Sequence, residues 1–422
     1  MITIRLPWDG SVSGTVDTSD AGRAIAEAER GSVAMARLVN HERADLLARL
    51  VGLLRRDAER YARTVASESG KPIREAQTEV QRAIQTALLS SEEARRLAGE
   101  VVPMDATPAG CGRLAMTVRE PVGIVAAITP FNFPLNLAMH KIAPALAAGN
   151  AVVHKPASAT PLSAMLLQDS LKEAGAPEGA YNVVVGEGGA VGLQIVADPR
   201  VALVTFTGSV EVGKRIREAA GLKRVILELG SNSAVVVEPD ADLDWAVPRS
   251  VTGAYSHSGQ VCISVQRIYA HEEVAHQFLE AFCHAAVRLK IGHPLHEDTD
   301  VSSLISEAEA DRVVNWIDNA VKAGATLIHG GKRVGRATVE PAVLADVPAE
   351  CELSCNEAFG PVAFVNTYRH LDEAIALVND SRYGLQAGIF TRNLQRAFQA
   401  AREIRTGGVI IDDVPAFRAA QM

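Results

Sequence analysis

Hydrophobic positions along the chain follow two rhythms. Over 21–100, apolar residues recur at the 3.6-residue period of an amphipathic helix. Leu46, Leu47, Leu50 and Leu54 share one stripe, and Arg and Glu cover the other face. From Val122 onward, short β-branched runs alternate with helical segments. The pattern predicts strands over 122–128, 151–154, 181–185 and 202–206, and helices over 138–148, 161–174, 190–196 and 210–220. Two further strands, 224–229 and 234–237, close this series. Unbroken apolar strands are buried on both faces, as in a parallel sheet with helices packed on each side. A second alternating set runs over 251–411. Between the first helices and Val122, Pro103, Pro108, Gly110 and Gly112 precede the partly alternating run 113–120, which reads as a hairpin leaving the main body. The expected fold class is therefore α/β, with two doubly wound α/β domains and a small β-hairpin extension.

Length agrees with more than one domain, since the chain has 422 residues and a single core stops growing near about 250–300. Apolar residues at 48% and charged residues at 22% exclude a disordered, collagenous or coiled-coil chain. The longest uncharged stretch, 122–139, holds Pro130, Pro134, Asn132 and Asn136 and is no plain membrane helix. No charged-then-apolar leader opens the chain, so a cytoplasmic protein is expected, with no membrane partner. Forty-two basic against fifty acidic residues give a net charge of −8, which argues against nucleic acid as a partner. The five cysteines form no CxxC pair and no HExxH occurs, so neither a disulfide scaffold nor a metal site is expected.

Several motifs could carry chemistry. The run from Gly208 to Gly213-Lys214 fits most of a phosphate loop, but Arg215 stands where a Mg²⁺-binding Ser or Thr belongs. What survives is a glycine turn from a strand into a helix, whose free N–H groups suit a pyrophosphate. The run from Gly186 to Val191 fails the dinucleotide fingerprint. Cys262 follows Gly259-Gln-Val, a segment that permits an unusual turn, and is a candidate nucleophile or a buried hydrophobe. Cys283 has core-like helical spacing, while Cys351 and Cys355 lie in an acidic segment that raises a thiol pKa. Glu228 is an acid inside an apolar strand, where burial makes a carboxylate a candidate general base; a Lys223 or Arg224 partner is the other reading. Asn132, between Pro130 and Pro134, offers a fixed side-chain amide of the kind an oxyanion site requires, or ordinary turn chemistry.

Taken in order, Thr129-Pro-Phe-Asn-Phe-Pro, His154-Lys-Pro-Ala-Ser, Phe206-Thr-Gly-Ser, Leu227-Glu-Leu-Gly, Gly259-Gln-Val-Cys and Asn356-Glu-Ala-Phe-Gly-Pro-Val resemble the motifs of the aldehyde dehydrogenase superfamily. The resemblance spans nearly the whole chain. It implies an NAD(P)-binding domain over 1–98 and 120–229, an oligomerisation hairpin over 99–119 and a catalytic domain over 230–422. Cys262 is then the nucleophile, Asn132 and the Cys262 N–H hold the oxyanion, and Glu228 activates the water that hydrolyses a thioester. Lys155, Ser158, Gly208, Ser209, Gly230, Glu357 and Phe359 are the implied cofactor-binding residues for NAD or NADP. A small aldehyde is the implied substrate, and lactaldehyde or phosphonoacetaldehyde fit the Gln-Val-Cys-Ile-Ser stretch. His140, Phe133 and Val261 are candidates to line its funnel.

Three features depart from the family pattern. Ser158 stands where NAD-preferring members often carry Glu, so NADP is expected to be tolerated. Ser231 replaces the second glycine of the usual Leu-Gly-Gly. Members also continue for a few dozen residues beyond the position of Met422, supplying part of the funnel and a strand that pairs with a neighbouring subunit. With that strand present, a homodimer or homotetramer is expected. The competing expectations are a CoA-acylating relative, disfavoured by Glu228, an acyl-phosphate reductase, disfavoured on the same ground, and a non-catalytic scaffold.

Overall fold

The computed structural model describes residues 1–415. The chain forms two compact units, one of Met1–Ile4, Gly14–Val65 and Gln77–Glu228, the other of Arg5–Ser13, Ala66–Ala76 and the chain from Leu229 on.

The first unit is built on a five-stranded sheet in the order Tyr181–Val183, Ala151–Lys155, Ile124–Ile128, Val201–Gly208, Arg224–Leu229. Ile124–Ile128 pairs in parallel with both Ala151–Lys155 and Val201–Gly208. Every residue of Ile124–Ile128 and Ala151–Lys155 is buried, as expected of apolar runs covered on both faces. Helices Asn136–Ala147, Leu162–Glu173, Gly188–Ala197 and Val210–Ala219 follow successive strands, within two residues of the predicted starts. Upstream, helix Ala21–Arg37 is capped by Asp20 and buries Ala21, Ala24, Ile25, Ala28 and Met35 along one stripe. Val101–Val102 and Ala115–Met116 pair antiparallel, leaving Val101, Leu114, Met116 and Val118 exposed.

The strand order has a functional consequence. After Ile124–Ile128 the chain adds strands on one side, then crosses to Val201–Gly208 on the other. Ligands of open α/β sheets bind where the order reverses, outside the carboxyl ends of the strands. The loops after Ile128 and after Gly208 flank that point.

The second unit holds a seven-stranded sheet in the order Thr326–His329, Ala342–Ala345, Val362–Tyr368, Arg267–His271, Ala234–Val237, Ala387–Phe390, Val409–Ile411. Its pairs are parallel except at Thr326–His329, which runs antiparallel to Ala342–Ala345. Tyr255, Phe278, Phe282 and Phe390 fill the core on one face, with Tyr255 and Phe282 in ring contact. Ala234–Val237 therefore does not close the first series as its position in the sequence implied. It is a fully buried inner strand of the second sheet, whereas Arg224–Leu229 is an edge strand with residues exposed or half-buried along its length. Apolar character marks a strand but not the sheet that accepts it.

Candidate active site

In the first unit, Asn132 lies just past the carboxyl end of Ile124–Ile128 and is 2% exposed. Its loop is held at both ends. At the start, Thr129 donates its N–H to the Lys155 carbonyl, and its hydroxyl meets His154 Nε2 at 2.9 Å. His154 is fully buried, and burial beside Lys155 and Lys141 pushes it down to about 3, so the neutral ring bridges Thr129 to the Tyr181 hydroxyl. At the far end, the buried Glu79 carboxylate accepts the Leu135 and Asn136 N–H groups at 2.9 and 3.0 Å. An acid there satisfies free donors at the start of helix Asn136–Ala147.

Glu228 ends the same unit, on the edge strand Arg224–Leu229, and is half-buried. The deep burial expected from its apolar neighbours is not what the fold gives, because the strand has a sheet neighbour on one side alone. Lys223 does not serve as its partner: the ammonium is spent on the Val196 and Asp198 carbonyls. The cation that Glu228 acts on is Lys141. Burial pushes that ammonium down to about 8, Glu228 pulls it back up, and it donates to Thr205 Oγ1 at 3.3 Å. Two more groups belong to this part of the first unit. The Arg82 guanidinium sits 5.7 Å from the centre of the Phe133 ring. His140 is pushed down to about 4 by burial and by the charges of Arg82 and Lys141.

The residues expected to hold a dinucleotide show donors of the right kind. Lys155, 3% exposed at the end of its strand, donates to the Pro156 carbonyl and to Ser158 Oγ, and burial pushes it down to about 8. Ser158 is exposed and passes its own hydrogen bond to the Gly186 carbonyl at 2.8 Å. Gly208 ends strand Val201–Gly208, and Ser209 caps the next helix by accepting the Val212 N–H. A buried ammonium, an exposed hydroxyl and a helix start suit ribose hydroxyls and phosphates.

The remaining expected residues lie in the second unit. Glu357 accepts the Ser231 N–H at 3.0 Å and donates its own N–H to the Tyr383 hydroxyl. Its carboxylate fills the space beside Gly230, where an added Cβ would displace it. The Ser231 hydroxyl turns to Ser233 and is buried. Phe359 is half-buried with φ +46°, a strained conformation for a bulky residue. Cys262 is half-buried, forms no disulfide, and is preceded by the turn His257–Gly259. Cys351 is pushed up by burial, with Glu352 and Glu350 adding to it. Cys283 is half-buried rather than in the core, facing a shallow pocket with His276, His284 and Ile328.

Comparison with known proteins decides the family. Residues 2–422 match the model of the aldehyde dehydrogenase family. The chain belongs to the aldehyde dehydrogenase family.

Among its relatives, 3-sulfolactaldehyde dehydrogenase of Priestia aryabhattai is 46% identical over 382 residues, covering 90% of this chain and 80% of that protein. Lactaldehyde dehydrogenase of Methanococcus aeolicus is 37% identical, covering 100% of this chain and 90% of that protein. The crystal structure of glyceraldehyde-3-phosphate dehydrogenase GapN from Methanocaldococcus jannaschii, complexed with NADP, superposes with a TM-score of 0.94. It is 38% identical, with 99% of this chain and 91% of that one covered. This aldehyde dehydrogenase is therefore an oxidoreductase of the aldehyde group. Among the described residues no helix is long and apolar enough to cross a membrane.

Reading the sequence missed Glu79, Arg82 and Lys141. A signal existed for Glu79: in helix Ile73–Ala94 it shares the buried stripe of Ala76, Val80 and Ala83. A carboxylate on that stripe needs partners.

Proposed function

We propose that this chain oxidises a small aldehyde bearing an anionic group to the carboxylic acid, by covalent catalysis at Cys262. The Cys262 thiolate adds to the aldehyde carbonyl, forming a C–S bond and a tetrahedral oxyanion. The Asn132 side-chain amide and the Cys262 N–H donate to that oxyanion. When bound, NAD or NADP supplies the hydride acceptor that lets the tetrahedral carbon become a thioester. Glu228 takes a proton from water, the hydroxide adds to the thioester carbonyl, and the thiolate departs, leaving the acid. The bound cofactor is held by the Lys155 ammonium and the Ser158 hydroxyl, by the helix start at Gly208–Ser209, and by Glu357 beside Gly230 and Phe359.

The anionic group rests on one observation: the Arg82 guanidinium stands against Phe133, next to Asn132. The names of two relatives, acting on a sulfonated and a phosphorylated aldehyde, agree with it. The lactaldehyde relative defines the rival, an uncharged hydroxyaldehyde. The two substrates 3-sulfolactaldehyde and lactaldehyde differ by the sulfonate alone, which makes them the test. We expect kcat/KM to favour 3-sulfolactaldehyde. Arg82→Met should lower that value about 100-fold while changing lactaldehyde less than about threefold. Equal losses on both substrates would remove Arg82 from anion recognition.

Cofactor choice follows from position 158. With Ser158 in place of an acid, the side chain at that position carries no charge to repel a 2′-phosphate. Fluorescence titration should show NADP binding at low salt, and Ser158→Glu should weaken NADP about tenfold or more relative to NAD. No measurable NADP affinity in the unsubstituted protein would defeat this assignment.

A further inference from the structure

The segment leading to Cys262 is held in an unfavourable shape. His257, Ser258 and Gly259 are successive left-handed residues, with φ of 48°, 55° and 74°. Glycine tolerates this; an L-residue with a Cβ resists it. At Gly259 no other residue fits, because a Cβ would strike the Gly360 carbonyl. Something must therefore hold His257 and Ser258.

Part of the clamp comes from Gln260 and the segment 302–305. Ser258 Oγ donates to the Ser302 carbonyl and accepts the Ser302 N–H. The buried Gln260 amide donates to the His257 and Ser303 carbonyls and accepts the Ile305 N–H. The rest comes from far away in sequence. Glu75, half-buried at the start of helix Ile73–Ala94, accepts the His257 N–H. Burial pushes its carboxyl up to about 7, against that N–H and the charges of Lys71 and Arg74, which pull it down. Lys71 is fully buried; burial pushes the His257 ring well below its ordinary range, and the Lys71 charge adds to that. The proposed chemistry uses none of these groups.

We propose that Glu75 is a positioning residue: by accepting the His257 N–H it clamps the left-handed turn 257–259 and so fixes the segment that presents Cys262. This rests on Cys262 being the nucleophile. The test is alkylation of the full chain by iodoacetamide, with Cys262 and the exposed Cys111 followed separately by peptide mass. Fast Cys262 labelling in the unsubstituted protein supports the nucleophile; labelling no faster than Cys111 overturns that reading. Given a fast Cys262, Glu75→Leu, which removes the acceptor, should slow it about tenfold or more while leaving Cys111 unchanged, and Glu75→Gln, which keeps an acceptor oxygen, should recover part of the rate. Glu75→Leu should also lower kcat without changing the cofactor KM. Lys71→Met, which removes one of the two cations that hold the carboxyl down and so weakens it as an acceptor, should give a smaller loss of the same selective kind and serves if Glu75→Leu fails to fold. Unchanged Cys262 labelling and kcat in a folded variant, or losses shared by Cys111 and cofactor binding, would overturn the positioning role.

Discussion

Cys262→Ala loses aldehyde oxidation by at least about 10³-fold, as expected when the group that bonds to substrate is removed. Cofactor affinity should survive, because the residues assigned to the cofactor are Lys155, Ser158, Gly208, Ser209, Gly230, Glu357 and Phe359. Four other thiols serve as internal controls. Cys111 and Cys355 are exposed, Cys283 is half-buried, and Cys351 is buried. Alanine at Cys111 or Cys355 should leave turnover within about twofold, as for surface sites away from the chemistry. Steady-state rates on an aldehyde panel, with cofactor binding measured in parallel, check this. Retained turnover in Cys262→Ala would remove the thiol from the mechanism.

Glu228→Gln separates the two halves of the reaction. Gln keeps the size of the side chain and cannot take a proton from water, so acylation proceeds and hydrolysis stalls. We expect a rapid burst of about one reduced nicotinamide per chain, followed by turnover about 10²- to 10⁴-fold below the unsubstituted rate. Lys141 should respond as well. Glu228 raises that buried ammonium, so its removal leaves Lys141 below its present value near 8 and easier to deprotonate. Stopped-flow absorbance reads the burst directly. A variant whose first turnover is as slow as later ones would place Glu228 before the thioester. Restoration of turnover by added CoA would show that the thioester is competent and that hydrolysis alone was lost.

The parts of this site that were legible in the sequence are those whose residue type is itself a signal. Cys262 after Gly259-Gln-Val, Asn132 between prolines, and Ser209 at a strand-to-helix turn each imply their local geometry. Glu228 was legible as an acid in an apolar run, but its half-burial depends on strand order, which periodicity does not give. Ala234–Val237 was misassigned to the first sheet for the same reason. The clamp on the Cys262 segment left still less trace. His257, Ser258 and Phe359 are residues that normally avoid positive φ, so nothing local announces their conformation. Part of what holds His257 comes from Glu75, far away in the sequence. Glu79 grips the Asn132 loop over a separation of 56 residues. Long-range support of this kind is invisible to local pattern, although charged residues on a buried helical stripe mark where to look.

The covalent intermediate is the central claim, and mass spectrometry of Glu228→Gln quenched in acid after the burst tests it most directly. The account predicts one acyl group per chain, carried by the peptide containing Cys262 and absent when aldehyde or cofactor is withheld. An unmodified Cys262 peptide, or an acyl group found on another residue, would contradict it.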